Sequence, residues 1–186
     1  MHVTLLITIL LALMPVQLHQ ASLAYLASTE QEAIQVALDI NFIGQWSHPN
    51  NMCGPLSASI LHDAGLISTD PRLFWLLNPR EDMSFLEETF QGWTFTQIAE
   101  AVQSYDFASN PLSLGSFLYL YAGAGDNFEH MLTVSRVSDG QAYAVTNMLT
   151  STGWTIVEVS LYPYFENLKS GHGGFLVISP TEGSFR

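Results

Sequence analysis

The hydrophobic pattern of this chain changes character near Gly115, and that change most limits the folds open to it. Before Gly115, apolar residues recur at helical spacing, as in the segments of about Glu30–Asp39 and Thr96–Tyr105. After it come short runs rich in β-branched and aromatic residues, which are typical of strands. The predicted strands are Phe117–Tyr121, His130–Val137, Ala142–Thr146, Thr155–Leu161 and Phe175–Ile178. Helices followed by antiparallel strands indicate an α+β fold.

A further predicted helix begins at the single cysteine. A loop rich in Gly, Pro and Asn leads into Cys53, and helical spacing of apolar residues then continues to about Ala64. Pro55 suits the first turn of a helix, and Gly65 suits its end. Unpaired N–H groups and the helix dipole stabilise an anion at such an N-terminus, which shifts a thiol toward the nucleophilic thiolate. The alternative is an inert, buried cysteine.

The N-terminal segment is typical of an export signal. The apolar run Val3–Val16 has fourteen residues, which as a helix rise about 21 Å, less than the roughly 30 Å of a bilayer core. Ser22 and Ala24 then form an A-x-A-like cleavage site. We therefore predict a signal peptide at 1–24, one domain at 25–186 and a secreted or periplasmic location. An uncleaved anchor and a buried core helix are the alternatives.

Charge and cysteine content exclude several classes of function. The 186 residues include 17 acidic and 5 basic side chains, which give a formal charge of −12. Such a surface cannot neutralise a phosphate backbone, so we expect no nucleic-acid partner and no stable association with an anionic membrane. One cysteine permits neither an intrachain disulfide nor a multi-cysteine metal site. His48, Asp70 and Glu129 lack metal-ligand spacing, so no metal or cofactor is expected.

A predicted hairpin brings two polar residues of the second half together. Asp-Gly in Ser138–Gln141 is a strong signal for a two-residue turn. If the register continues along both strands, Leu132 faces Asn147 and His130 faces Leu149. Asn147 is then a diagonal neighbour of His130 on the same face, about 7–8 Å away.

His130 and Asn147 supply the base and the orienting group that a nucleophilic thiol requires. An amide beside an imidazole fixes its tautomer and direction, the role of the third member of a catalytic triad. Asp126 and Asn127 are alternative polar partners for His130. A structural histidine and an asparagine that merely ends its strand are the non-functional alternatives.

Acyl transfer also needs hydrogen-bond donors for the developing oxyanion. The backbone N–H of Cys53 is one candidate donor. The side-chain amide of Gln45, from the preceding loop, is the second, and Asn50 and Asn51 compete with it for this role.

Two sequence blocks resemble a known family. Gln45-Trp46 and Asn51-Met52-Cys53-Gly54-Pro55, with serines on the following helix, look like the nucleophile block of papain-like cysteine peptidases. The blocks Glu129–Val134 and Tyr143–Asn147 are similar to the histidine block of the bacteriocin-processing double-glycine peptidase group. The gap between Gln45 and Cys53 is longer than in that group, and Asn at position 147 replaces its more usual Asp.

This resemblance implies a papain-like fold, in which N-terminal helices, with the nucleophile at a helix N-terminus, pack on a C-terminal antiparallel sheet. It assigns Cys53 as nucleophile, His130 as base, Asn147 as orienting residue and Gln45 to the oxyanion hole. The implied activity is a secreted thiol hydrolase that cleaves peptide or amide bonds in a peptide or protein substrate. A non-catalytic peptide or cell-wall binding protein and an acyltransferase or transglutaminase-like enzyme are the alternatives.

Overall fold

Helices and antiparallel sheets make up the described part of the chain, which confirms the predicted α+β class. The computed structural model describes residues 15–41, 48–75, 79–122, 128–168 and 172–181. Its helices are α1 (15–23), α2 (Glu30–Asn41), α3 (Cys53–Asp63), α4 (Pro79–Thr89) and α5 (Leu161–Glu166), with 3₁₀ turns at Pro49–Asn51 and Pro71–Phe74. The helices predicted near Glu30 and Cys53 are thus present.

The strands form two antiparallel sheets. They are β1 (Thr94–Ile98), β2 (Phe117–Tyr121), β3 (Phe128–Thr133), β4 (Arg136–Ser138), β5 (Gln141–Thr150), β6 (Gly153–Ser160) and β7 (Phe175–Ser179). The larger sheet has the order β1-β7-β2-β3, and the smaller has the order β4-β5-β6. β3 is thus an edge strand of the larger sheet, with one side open to another element.

The larger sheet is covered on both faces, as its central strand shows. All five residues of β2 are buried. Phe117 and Tyr119 belong to the hydrophobic cluster that includes α3, whereas Leu118 and Leu120 belong to a second cluster with α5. Alternate side chains of a strand point to opposite faces, so a strand buried on both faces is apolar throughout.

The chain crosses from one sheet to the other between Val134 and Ser135. The backbone N–H of Val134 donates to the carbonyl of Ser116 beside β2, and that of Ser135 donates to the carbonyl of Tyr143 in β5. One strand was predicted over His130–Val137, but the crossing divides it into β3 and β4. The two strands therefore belong to different sheets.

This division limits how far the predicted hairpin register holds. Ser138 pairs with Gln141 as predicted, around a turn in which Asp139 and Gly140 both have positive φ. Beyond the crossing, the predicted pairing is wrong. His130 pairs with Leu120 of β2, and Asn147 pairs with Ile156 of β6.

The helix predicted at Thr96–Tyr105 is also wrong. Residues Thr94–Ile98 form β1, which pairs with β7, and no helix is assigned to residues 99–105. Two threonines and a phenylalanine favour an extended backbone here, and the pairing with β7 stabilises it. The spacing of Ile98, Ala99 and Val102 suggested a helix, because a short apolar run can fit the period of a helix as well as that of a strand.

Helix α1 overlaps the predicted export signal and packs into the core. Leu18 and Ser22 are fully buried, and Leu18 belongs to the same hydrophobic cluster as α3. The Ser22 hydroxyl donates to the carbonyl of His19. Cleavage after Ala24 would remove these packed residues. Within the described residues, no helix has the length and apolar character needed to cross a membrane.

Candidate active site

The thiol of Cys53 lies at the first residue of α3, as the sequence predicts. Met52 is the N-cap residue, and its side chain makes no capping hydrogen bond. Cys53 is 3% exposed and is a free thiol. The backbone N–H groups of Cys53, Gly54 and Met131 approach the sulfur. Because Met131 directly follows His130, the start of α3 lies beside the strand that carries the histidine.

Two buried hydrogen bonds hold α3 against β3. The Ser57 hydroxyl donates to the carbonyl of Met131 over 3.0 Å. The Thr133 hydroxyl donates to the carbonyl of Ser57 over 2.9 Å. Buried bonds of this kind fix the register of two elements, since breaking either leaves an unpaired polar group. One turn of α3 is thereby locked to the residues next to His130.

Gly54 allows this close approach. A Cβ at position 54 would lie 2.2 Å from the carbonyl oxygen of Phe74 and 2.9 Å from Sδ of Met131. No side chain fits at such distances without displacing the backbone of the Pro71–Phe74 turn. Gly54 therefore lets α3 begin directly against the Pro71–Phe74 turn and the Met131 side chain of β3.

His130 hydrogen-bonds with a threonine of the other sheet. Its Nε2 lies 2.9 Å from Oγ1 of Thr146 in β5. His130 is 8% exposed, and Thr146 is 1% exposed. The hydroxyl of Thr146 also donates to the carbonyl of Asn147 over 3.4 Å. Because the Thr146 hydroxyl proton points to the carbonyl of Asn147, Oγ1 accepts a hydrogen bond from Nε2–H of His130. We therefore assign Nδ1 as the unprotonated, basic nitrogen.

Asn147, predicted to orient His130, makes a different hydrogen bond. Its Nδ2 donates to the carbonyl of Pro49 over 2.6 Å. This bond ties β5 to the 3₁₀ turn that leads into Cys53. Asn147 is 7% exposed, and within the described residues its Oδ1 is buried without a hydrogen-bond partner. The side chain that contacts His130 is that of Thr146, one residue earlier and on the opposite face of β5.

Burial leaves both reactive groups uncharged at neutral pH. Burial raises the pKa of the Cys53 thiol to about 11, although the three nearby N–H groups act in the opposite direction. Burial lowers the pKa of His130 to about 4. At neutral pH Cys53 is therefore a neutral thiol and His130 a neutral imidazole, and neither the thiolate nor the imidazolium predominates. The helix N-terminus alone does not overcome the loss of solvation.

Tyr164 of α5 lies beside His130. Its ring centroid is 6.3 Å from that of His130. Burial, followed by the charge of the Cys53 thiolate, raises the pKa of Tyr164 to about 12. Nothing in the sequence pattern links Tyr164 to His130. That link depends on α5, a six-residue helix too short to be predicted from periodicity.

Several predicted residues fall outside the described part of the chain. Gln45 lies in 42–47, and Asp126 and Asn127 lie in 123–127. The oxyanion role of Gln45 stays a prediction. Among the described residues, no group of three or more His, Cys, Asp or Glu side chains is arranged to hold a metal ion.

Comparison with known proteins gives no match, whether to a family model, to a curated protein or to a solved structure.

Proposed function

We propose that this chain is a thiol hydrolase of the papain-like type, which cleaves peptide or amide bonds outside the cytoplasm. Cys53 is the nucleophile and His130 is the base. Thr146 takes the positioning role that the sequence analysis gave to Asn147. The observation that carries the proposal is the single buried cluster formed by the helix-terminal thiol, the residues next to His130 and the His130–Thr146 hydrogen bond.

The reaction begins with general-base catalysis. Sγ of Cys53 attacks the substrate carbonyl carbon, and the thiol proton passes to Nδ1 of His130. The imidazolium then protonates the leaving amine as the carbon–nitrogen bond breaks, which leaves a thioester. Water attacks the thioester, gives a proton to His130 and releases the acid, after which the thiol is restored.

A covalent-labelling experiment tests the nucleophile. A peptidyl acyloxymethyl ketone, which reacts slowly with free thiols, is incubated at pH 7 with the native protein and with the protein unfolded in urea. Because Cys53 is the only cysteine, intact-mass spectrometry measures its labelling directly. We expect the native chain to be labelled faster than the unfolded chain, with a rate that saturates in reagent concentration. Labelling only after unfolding would defeat the proposal.

The roles of Thr146 and Asn147 are separated by single substitutions. Thr146→Val removes the hydroxyl that bonds Nε2 of His130 and keeps the shape of the side chain. We expect this variant to be labelled about 10- to 100-fold more slowly, the cost of one buried hydrogen bond in the transition state. Thr146→Ser, which keeps the hydroxyl, should restore most of the rate.

The matched variant is Asn147→Ala, which breaks the bond to Pro49 and leaves the His130–Thr146 bond in place. We expect a smaller loss of labelling rate than in Thr146→Val. A larger loss of labelling rate in Asn147→Ala than in Thr146→Val would assign the orienting role to Asn147.

A non-catalytic peptide-binding protein on the same scaffold is the second candidate, and one observation favours it. The thiol is 3% exposed, and its raised pKa makes it a poor nucleophile at neutral pH without a base. In that case Cys53 is a core residue, and both the reagent and iodoacetamide modify it only after unfolding. The labelling experiment therefore distinguishes the two candidates.

A further inference from the structure

The open edge of β3 directs the backbone of Met131 toward α3. The N–H and the carbonyl of Val134, next to the end of β3, both bond the segment that leads into β2. Backbone groups reverse direction from one residue of an antiparallel strand to the next. Those of Met131, three residues earlier in a continuous register with β2, therefore point away from β2.

Three contacts fix Met131 against the start of α3. Its backbone N–H approaches Sγ of Cys53, its Sδ lies over Gly54, and its carbonyl accepts from the Ser57 hydroxyl over 3.0 Å. Met131 is 1% exposed. Its N–H is therefore a donor of fixed direction, shielded from water, and it comes from a different element than the N–H groups of the helix.

Acyl transfer moves negative charge away from the sulfur. When Sγ of Cys53 bonds the carbonyl carbon, the π electron pair of the carbonyl moves to its oxygen, which is then two bonds from the sulfur. Donors that already point to this region stabilise the oxyanion without reorganising. A fixed N–H that meets the sulfur in the free protein therefore suits the oxygen that forms beside it.

We propose that the backbone N–H of Met131 is the second donor of the oxyanion hole, opposite the N–H of Cys53. The proposal rests on the proposed function and adds a catalytic group to the same site. A side-chain amide, that of Gln45, was predicted for this role from sequence, but Gln45 lies outside the described residues. With Met131, both donors are backbone groups held by regular structure.

The alternative is that the Met131 N–H stabilises only the thiolate of Cys53. Two reactions distinguish these roles. Iodoacetamide alkylates the sulfur by displacement of iodide, without negative charge on a carbonyl oxygen. p-Nitrophenyl acetate acylates it through an oxyanion, which collapses to the thioester and releases p-nitrophenolate. Both reactions require loss of the thiol proton, so the ratio of the acylation rate to the alkylation rate isolates the oxyanion.

The experiment replaces the Met131 N–H with an oxygen atom. Cell-free translation of the full chain places the α-hydroxy acid counterpart of methionine at position 131, which keeps the side chain and makes the preceding peptide bond an ester. Intact-mass spectrometry at pH 7 measures both rates at Cys53, the only cysteine. We expect the acylation-to-alkylation ratio to fall about 100-fold, the loss typical of one oxyanion donor.

Two encoded variants support this measurement. Ser57→Ala releases the carbonyl of Met131 and should lower the ratio about three- to tenfold, which keeps a test in case the ester chain fails to fold. Met131→Leu changes the side chain and keeps the N–H, so the ratio should change less than about threefold.

The matched control is the same ester substitution at Val137. Val137 lies in β4, an edge strand of the other sheet, and is 46% exposed. Its replacement also removes one backbone N–H and should leave the ratio unchanged.

The outcomes separate this proposal from the proposed function. An equal loss of both rates, or an unchanged ratio, in the folded Met131 ester chain overturns the oxyanion role of Met131 alone. A fall in the ratio for Gln45→Ala with no fall for the Met131 ester returns that role to the side chain. A native chain in which Cys53 reacts with neither reagent until it unfolds overturns the proposed function itself.

Discussion

Replacing His130 with alanine should slow covalent labelling of Cys53 at pH 7 about 1,000-fold. The thiol has a pKa raised to about 11, so only about one molecule in 10⁴ carries a thiolate at neutral pH. Attack therefore depends on transfer of the proton to a base, a contribution that is typically 10²- to 10⁴-fold. The measurement is the second-order rate of labelling by the peptidyl acyloxymethyl ketone, followed by intact-mass spectrometry.

Two further variants support the interpretation of this result. His62→Ala removes an exposed histidine from α3, the helix that begins at Cys53, and should change the rate less than twofold. His130→Gln keeps a polar side chain in case the alanine variant fails to fold. Wild-type labelling rates in both folded His130 variants would remove His130 from the mechanism.

Leu18→Ala is expected to lower the free energy of unfolding by about 3 kcal/mol. Leu18 is fully buried in the cluster that includes α3, and truncation of such a leucine costs both burial and a cavity. Urea unfolding of the full chain measures the effect. Val16→Ala is the control, because Val16 lies in the same helix and is 51% exposed. It should cost less than about 0.5 kcal/mol.

This comparison bears on the export signal predicted at 1–24. Equal stabilities of the Leu18→Ala and Val16→Ala variants would mean that α1 contributes nothing to the mature fold, as removal at Ala24 requires. A large difference would mean that α1 stabilises the fold of the full chain, so that cleavage at Ala24 would cost stability. N-terminal sequencing of protein recovered from culture medium gives an independent answer.

The features predicted most accurately from sequence depend on local rules. The helix at Glu30–Asn41 begins with a capping box, since Thr29 Oγ1 accepts from the N–H of Glu32 while Oε2 of Glu32 accepts from the N–H of Thr29. The strand Phe117–Tyr121 was predicted at its observed bounds from its aromatic content. The start of a helix at Cys53 followed from Pro55 and the preceding loop.

The errors depend on tertiary contacts. Nothing in the residues His130–Val137 marks the point where the chain leaves one sheet for the other, because that point is set by separate partners, Ser116 and Tyr143. Continuing the hairpin register through it placed Asn147 beside His130, whereas Thr146 is the neighbour. An error of one residue along a strand exchanges the residues on its two faces, so it assigns the wrong side chain to the site.

The hydrogen bond between His130 and Thr146 spans the seam between the two sheets. A slide of about 1 Å between the sheets would stretch this contact beyond hydrogen-bond distance, while the ladder bonds within each sheet stayed intact. The orientation of the His130 ring therefore depends on how the two sheets pack against each other. Side chains that pack between the two sheets, even those far from the thiol, therefore help to determine the position of His130.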